Sequence, residues 1–253
     1  MPTIPQLAVL VTVPTTDYTN HALLPTPLMR RIGCLVLVAF FFLLWVGEYT
    51  KPSFVVWDGK KVPSTCTKQF AIENIGLFRN GMVIPRSSPL DVLLKADLSV
   101  IKISNFKNGR MGQTITQNAT GTPECPVLAL AHIIHEIISN GGTNNTLLCL
   151  VWDGKGWVDL KSCHIIKMVR NTPGDLKLHR QEIDDDRFGA HSLLAGGAMA
   201  LKLHGYDYTT IMKMGRWTSL TFLYYIRNQI AHLSTDISKK MSIPLPIVNV
   251  AAI

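Results

Sequence analysis

The sequence predicts a mixed α+β domain, mostly helical, with a small antiparallel β-sheet. Three observations lead there. Of 253 residues, 47% are hydrophobic and 17% charged, a balance that builds a packed core. Apolar residues recur at helical spacing after Pro126, at Val127, Leu130, Ile133, Ile134, Ile137 and Ile138. Runs rich in apolar and β-branched residues flank the dipeptides Asn80-Gly81 and Asn108-Gly109, the pattern of tight hairpins. The length suits one good-sized domain, or one domain plus a remnant.

In chain order, residues 1–29 hold repeated prolines (Pro2, Pro5, Pro14, Pro25, Pro27) and are expected to form an extended leader or the remnant of an N-terminal domain. No basic segment precedes an apolar core there, so it does not read as a signal peptide. Residues 32–46, IGCLVLVAFFFLLWV, are the most apolar run. As a helix this run spans about 22 Å, short of the roughly 30 Å of a hydrocarbon layer. A buried core helix is therefore expected rather than a membrane anchor, although Arg30 and Arg31 precede it. Residues 50–65 read as a loop, broken by Pro52, Asp58-Gly59 and Pro63.

A strand is expected over 67–78, turned at Asn80-Gly81 into Met82–Ile84. Leu98–Ile103 is a second strand, and residues 113–116 pair back across a turn that carries Lys107. Pro126 opens a helix that Asn140-Gly141-Gly142 stops. His132 and His135 on that helix read as rim residues, since a third ligand is missing. Residues 147–151 read as a short extended piece, 153–156 as a turn and 160–169 as a helix. The charged stretch 174–187 includes Asp184, Asp185 and Asp186, which read as a solvated run because adjacent carboxylates point apart. Helices are expected from Ser192, over 209–214 and over 218–231, followed by a tail at 239–253. Two adjacent glycines, Gly196 and Gly197, weaken a helix and imply a close approach of another backbone or of a ligand. No internal repeat stands out.

The net charge of +8 favours a polyanionic partner such as nucleic acid, while also fitting many proteins without one. The cysteines (Cys34, Cys66, Cys125, Cys149, Cys163) are odd in number and lack ligand spacing, so a zinc site is not expected. Cys34 and Cys149 lie in apolar runs and read as core thiols, which suits a reducing compartment.

Residues 191–227 read HSLLAGGAMALKLHGYDYTTIMKMGRWTSLTFLYYIR. This stretch resembles the C-terminal half of the tyrosine recombinase (phage integrase-like) catalytic domain, most closely the versions carried by eukaryotic mobile elements. There the family reads His-Ser-Leu-Arg-x-Gly-Gly-Ala, then Gly-Arg-Trp, then a tyrosine. His191, Ser192, Leu193, Gly196, Gly197, Ala198, Trp217, Tyr225, Ile226 and Arg227 match; the family's arginine falls on Leu194. Upstream, Phe40 to Leu44 with Gly47, Glu48 and Tyr49 resemble the family's first box, whose arginine falls on Trp45. Phe106-Lys107-Asn108-Gly109 matches the hairpin on which the family carries a lysine. The resemblance covers residues 30–238.

What the resemblance implies is the recombinase catalytic-domain fold over that range, with the usual N-terminal clamp domain absent or vestigial. The implied partner is double-stranded DNA, with self-association in a synaptic complex. The implied place is nuclear or otherwise intracellular, on DNA. The implied reaction is strand cleavage and rejoining through a 3′-phosphotyrosine, which conserves the bond energy and needs no cofactor or metal. By resemblance Tyr225 is the nucleophile and Lys107 the general acid. His191 and Trp217 position protons and phosphate. Taken singly, Tyr225 also fits an interfacial aromatic, Trp217 a core anchor, His191 a packing residue and Lys107 a turn lysine. Trp45 and Leu194 cannot grip a phosphate as a guanidinium does, so cleavage is expected to be severely impaired or lost. The alternative is a non-catalytic scaffold or protein-interaction module that keeps the recombinase fold.

Overall fold

The structure is a computed structural model and describes residues 26–52, 54–63, 67–103, 112–175, 191–219 and 223. Residues 1–25 of the expected leader, the tail, the turn at Asn108-Gly109, Asp184, Asp185, Asp186 and most of 218–231 lie outside the described residues. Helix outweighs strand, 43% against 22%, so the class is mixed, with a small antiparallel sheet.

Helix α1 (Pro27–Phe41) is the centre of the fold. It starts inside the stretch expected as leader. Thr26 caps it, its hydroxyl accepting the Met29 N–H at 3.2 Å, and Pro27 occupies the first turn, where a missing N–H costs nothing. Every residue from Arg31 to Ala39 is buried, so the helix has no solvent side along that stretch. Around it pack α4 (Pro126–Ser139), α5 (Ser162–Asp175) and α6 (His191–Leu203). Among the described residues no helix is long and apolar enough to cross a membrane.

Arg31 does not flank the apolar run but lies inside it, 1% exposed. Its Nη1 donates to the carbonyls of Leu148 (2.9 Å) and Leu150 (2.8 Å), and its Nη2 sits 3.0 Å from Glu136 Oε1 as an ion pair without hydrogen-bond alignment. One buried guanidinium thereby ties α1 to α4 and to the start of β7 (Leu150–Trp152).

The main sheet has strand order β4-β3-β5-β6, antiparallel throughout. Its strands are β3 (Ile75–Arg79), β4 (Met82–Ile84), β5 (Leu98–Ile103) and β6 (Gln113–Asn118). Ile75, Leu77, Ile101, Ile103 and Ile115 alternate onto the buried face, which packs on α4. A one-turn helix, α3 (Leu90–Leu93), which lies between β4 and β5, was not anticipated.

Several expectations need correction. A short helix, α2 (Val46–Tyr49), precedes the stretch 50–65, which holds a hairpin of β1 (Phe54–Trp57) and β2 (Lys60–Pro63) rather than a loop alone. Asp58 and Gly59 both take positive φ (49° and 70°), the two-residue turn that an Asp-Gly pair favours. The strand expected over 67–78 begins only at Ile75. Asn74 Oδ1 accepts the Ala71 N–H at 2.9 Å and winds Ile72–Asn74 into a single 3-10 turn. The piece at 147–151 is half of a second hairpin, β7 with β8 (Trp157–Asp159). A short repeat also exists: Val-Trp-Asp-Gly-Lys occurs at 56–60 and at 151–155, each time at the turn of a hairpin. Cys34, Cys125 and Cys149 are buried and unbridged, Cys149 being pushed up to about 11 by burial.

Gly197 shows why α6 carries small residues. A Cβ there would lie 2.5 Å from the Phe40 carbonyl oxygen and 2.5 Å from Leu43 Cδ2, so α6 approaches the end of α1 at backbone contact. Gly197→Ala is expected to lower stability in urea unfolding by about 1–3 kcal/mol, despite alanine's better helix propensity, because a backbone oxygen cannot swing aside. At Gly156 nothing lies within 4 Å, and Gly156→Ala is expected to stay within about 0.5 kcal/mol of the parent.

Candidate functional site

Helix α6 begins at His191 and carries Leu194 one turn in. The chain then turns at Gly205 (φ 85°) and returns as α7 (Tyr208–Gly215), which packs against α6. Asp207 caps α7, its Oδ2 accepting the Thr210 hydroxyl and its Oδ1 the Thr210 N–H at 2.9 Å, and those hydrogen bonds, the hydroxyl's first, hold its carboxyl below the usual carboxylate range. This return brings Trp217 back beside Leu194. Leu43, Leu194, Ala198, Met199, Ile211 and Trp217 form one buried apolar cluster, with Trp45 packed on it. The rings of Trp45 and Trp217 meet edge to face at 6.3 Å, and Trp45 Nε1 donates to the Gly215 carbonyl at 3.3 Å.

Gly215 has a role that spacing alone does not reveal. The Trp217 ring folds back over it so closely that a Cβ would stand 1.8 Å from the ring. Between them Arg216 takes the left-handed conformation (φ 60°) that ends α7. Its guanidinium turns inward. Nη2 donates to Glu48 Oε2 at 2.6 Å and to the Leu43 carbonyl at 3.1 Å; Nη1 reaches the carbonyls of Met214 (3.3 Å) and Phe42 (3.5 Å). The two charged side chains are 3% and 5% exposed. The same Glu48 oxygen accepts the Trp45 N–H at 2.7 Å.

Burial pushes the Glu48 carboxyl up to about 7, against the opposing pull of Arg216 and of the Trp45 N–H. Burial likewise works against the charge on Arg216 and lowers its proton affinity, with Glu48 opposing in part. Tyr49, fully buried beside them, has its phenol raised by burial first and by the charge of Glu48 second.

The positions singled out in the sequence fall into two groups. Trp45, Leu194 and Trp217 come together in this cluster. His191 opens α6, three residues before Leu194, and its backbone is placed while its side chain lies outside the description. Lys107 and Tyr225 lie outside the described residues. Their neighbours are informative. Leu223, two residues before Tyr225, is helical and packs on the cluster. Gln113, at the foot of the hairpin that includes Lys107, donates to the Lys213 carbonyl of α7 at 3.0 Å, and Gln117 in β6 donates to the Phe41 carbonyl at 2.7 Å. Sequence reading missed the Glu48–Arg216 pair. Glu48 was read only as part of a motif, and nothing in the sequence links it to Arg216 so far along the chain.

No protein-family model matches the chain, and no curated protein matches it.

A carboxyl whose folded form holds its proton more tightly than the ordinary value of 4.5 stabilises the fold at low pH. That contribution is complete below about 4.5 and is lost as pH rises through about 7. Thermal unfolding between pH 5 and pH 8 is therefore expected to show a component that declines with rising pH. Glu48→Gln is expected to remove that component and flatten the profile.

Proposed function

We propose that this chain is a DNA-binding protein of tyrosine recombinase type, descended from a mobile element, in which strand cleavage is lost or severely reduced. The observation that carries the reading is convergence. Trp45 and Leu194, the positions that resemble the family's two arginines, meet Trp217 in one cluster although they come from distant parts of the chain. Leu223 and Gln113, which lie near Tyr225 and Lys107 in sequence, adjoin the same region. The net charge of +8 supports a DNA partner.

The loss of cleavage follows from what fills the cluster. Phosphoryl transfer to a tyrosine builds negative charge on the non-bridging oxygens, and paired guanidinium groups neutralise it. Here an indole and an isobutyl group stand at those positions, Leu194 being 1% exposed among apolar neighbours. The guanidinium that does enter, Arg216, is held by Glu48 and by backbone carbonyls. Losing one positioned donor to a transition-state oxyanion costs about 3 kcal/mol, on the order of a hundred- to a thousandfold in rate, and two charged donors are absent.

The test is binding and cleavage on the full chain. Duplex DNA is expected to bind with an affinity that falls steeply as salt rises. A nicked suicide substrate is expected to give no covalent adduct at Tyr225. A robust adduct sinks the loss of cleavage; absent or salt-insensitive binding sinks the DNA reading and favours a protein-interaction scaffold.

A further inference from the structure

We propose that the two hairpins built on Val-Trp-Asp-Gly-Lys, β1–β2 and β7–β8, form a two-pronged surface that holds the sugar–phosphate backbone of duplex DNA without regard to sequence, with Lys60 and Lys155 as its contacts. The proposal rests on the DNA-binding reading above and adds to it a contact surface apart from the cluster of Trp45, Leu194 and Trp217.

The two hairpins share one root. The N–H of Lys51, three residues before β1, donates to the carbonyl of Leu160, one residue after β8, at 2.7 Å. The Leu160 N–H donates in turn to the carbonyl of Cys149, one residue before β7, at 2.7 Å. Lys51 and Lys161 form a parallel bridge, and Lys51 Nζ pairs with Asp159 Oδ1 at 3.3 Å. From that root the arms, with strands of four and three residues, extend about 13 and 10 Å. The root is also stitched to the corner of the candidate site. The Phe70 N–H donates to the Glu48 carbonyl and the Leu148 N–H to the Phe70 carbonyl, both at 2.8 Å. Both hairpins therefore leave the same backbone platform, which begins at the α2 corner that carries Trp45 and Glu48.

At each tip the pentapeptide sets a lysine directly after the turn glycine. In β1–β2 the turn is Asp58-Gly59, and Lys60 opens β2 opposite Trp57. In β7–β8 the turn is longer, and Asp153 Oδ1 accepts the N–H groups of Lys155 (2.8 Å) and Gly156 (2.9 Å), which shapes the loop that displays Lys155. Lys60 and Lys155 are exposed, and among the described residues neither is in a salt bridge. Phe54 and Val56, alternate residues on one face of β1, are 47% and 76% exposed. Apolar surface beside cations matches a backbone in which deoxyribose alternates with phosphate.

Charge points to the same partner. Residues 51–68 and 150–161 hold six lysines against three aspartates, so 30 of the 253 residues carry +3 of the net +8. They hold no arginine. Lysine supplies point charge without the planar fork that grips one carboxylate or reads one base, which favours a line of phosphates over a single defined acidic ligand.

The experiment measures binding of the full chain to two duplexes of unrelated sequence against salt, for the parent, Lys60→Gln, Lys155→Gln and the double variant. Both lysines are exposed at turns, so the exchanges leave the fold intact. Each single exchange is expected to lower the log–log salt slope by about one, and the double exchange by about two, equally on both duplexes. Lys95→Gln, which removes one exposed charge from α3, is expected to keep the parent's slope. A parent slope in the double variant overturns the proposal and turns the hairpins towards a protein partner, while the DNA reading stands. A loss confined to one duplex, or an equal loss in Lys95→Gln, also overturns it. Absence of DNA binding by the parent overturns the functional reading and this surface with it.

Discussion

The Glu48–Arg216 ion pair is the interaction on which the candidate site depends. It joins residues 168 positions apart and closes the end of α7 onto the corner after α1. Both ends are anchored twice. Glu48 also holds the Trp45 N–H, and Arg216 also holds the Leu43 carbonyl, so one contact sets the path of the corner and of the Gly215-Arg216-Trp217 turn. The apolar cluster lies beside it, and Trp217 is placed there because Gly215 has no side chain to block its ring. A buried pair of this kind contributes little net stability, since desolvation offsets attraction; its effect is to specify one arrangement.

A second buried guanidinium does comparable work at the other end of α1. Arg31 satisfies the carbonyls of Leu148 and Leu150 and faces Glu136, so α1 is fixed to its neighbours by polar contacts at both ends and by apolar packing between. That arrangement explains how so apolar a helix accommodates Arg31 in its interior. Leu194 and Trp45 extend the apolar packing beyond the end of α1, into the cluster that includes Trp217.

Much of the fold was legible where the physics is local. The strand Leu98–Ile103 and the helix Pro126–Ser139 follow from alternation and from helical spacing with a proline start and an Asn-Gly stop. The 50–65 stretch was misread because Asp58-Gly59 was counted with Pro52 and Pro63 as a breaker and not as the turn of a hairpin, yet Phe54–Trp57 before that pair has the composition of a strand. The 67–78 stretch was misread because the Asn74 side chain competes for a backbone donor, a local choice that composition does not record. The close approach implied by Gly196-Gly197 proves to be a contact with the end of α1 at Gly197, decided by helix packing.

The sequence by itself determined the periodicities, the tight turns, the small-residue helix and the motif positions at Trp45, Leu194 and Trp217. These depend on residues near one another in the chain. Tertiary structure alone decided that those three positions share one cluster, that Arg31 is interior and that Arg216 is held by Glu48. The physical reason is that a buried charge chooses its partner by proximity in the folded state, and proximity across 168 residues leaves no periodic trace in the chain.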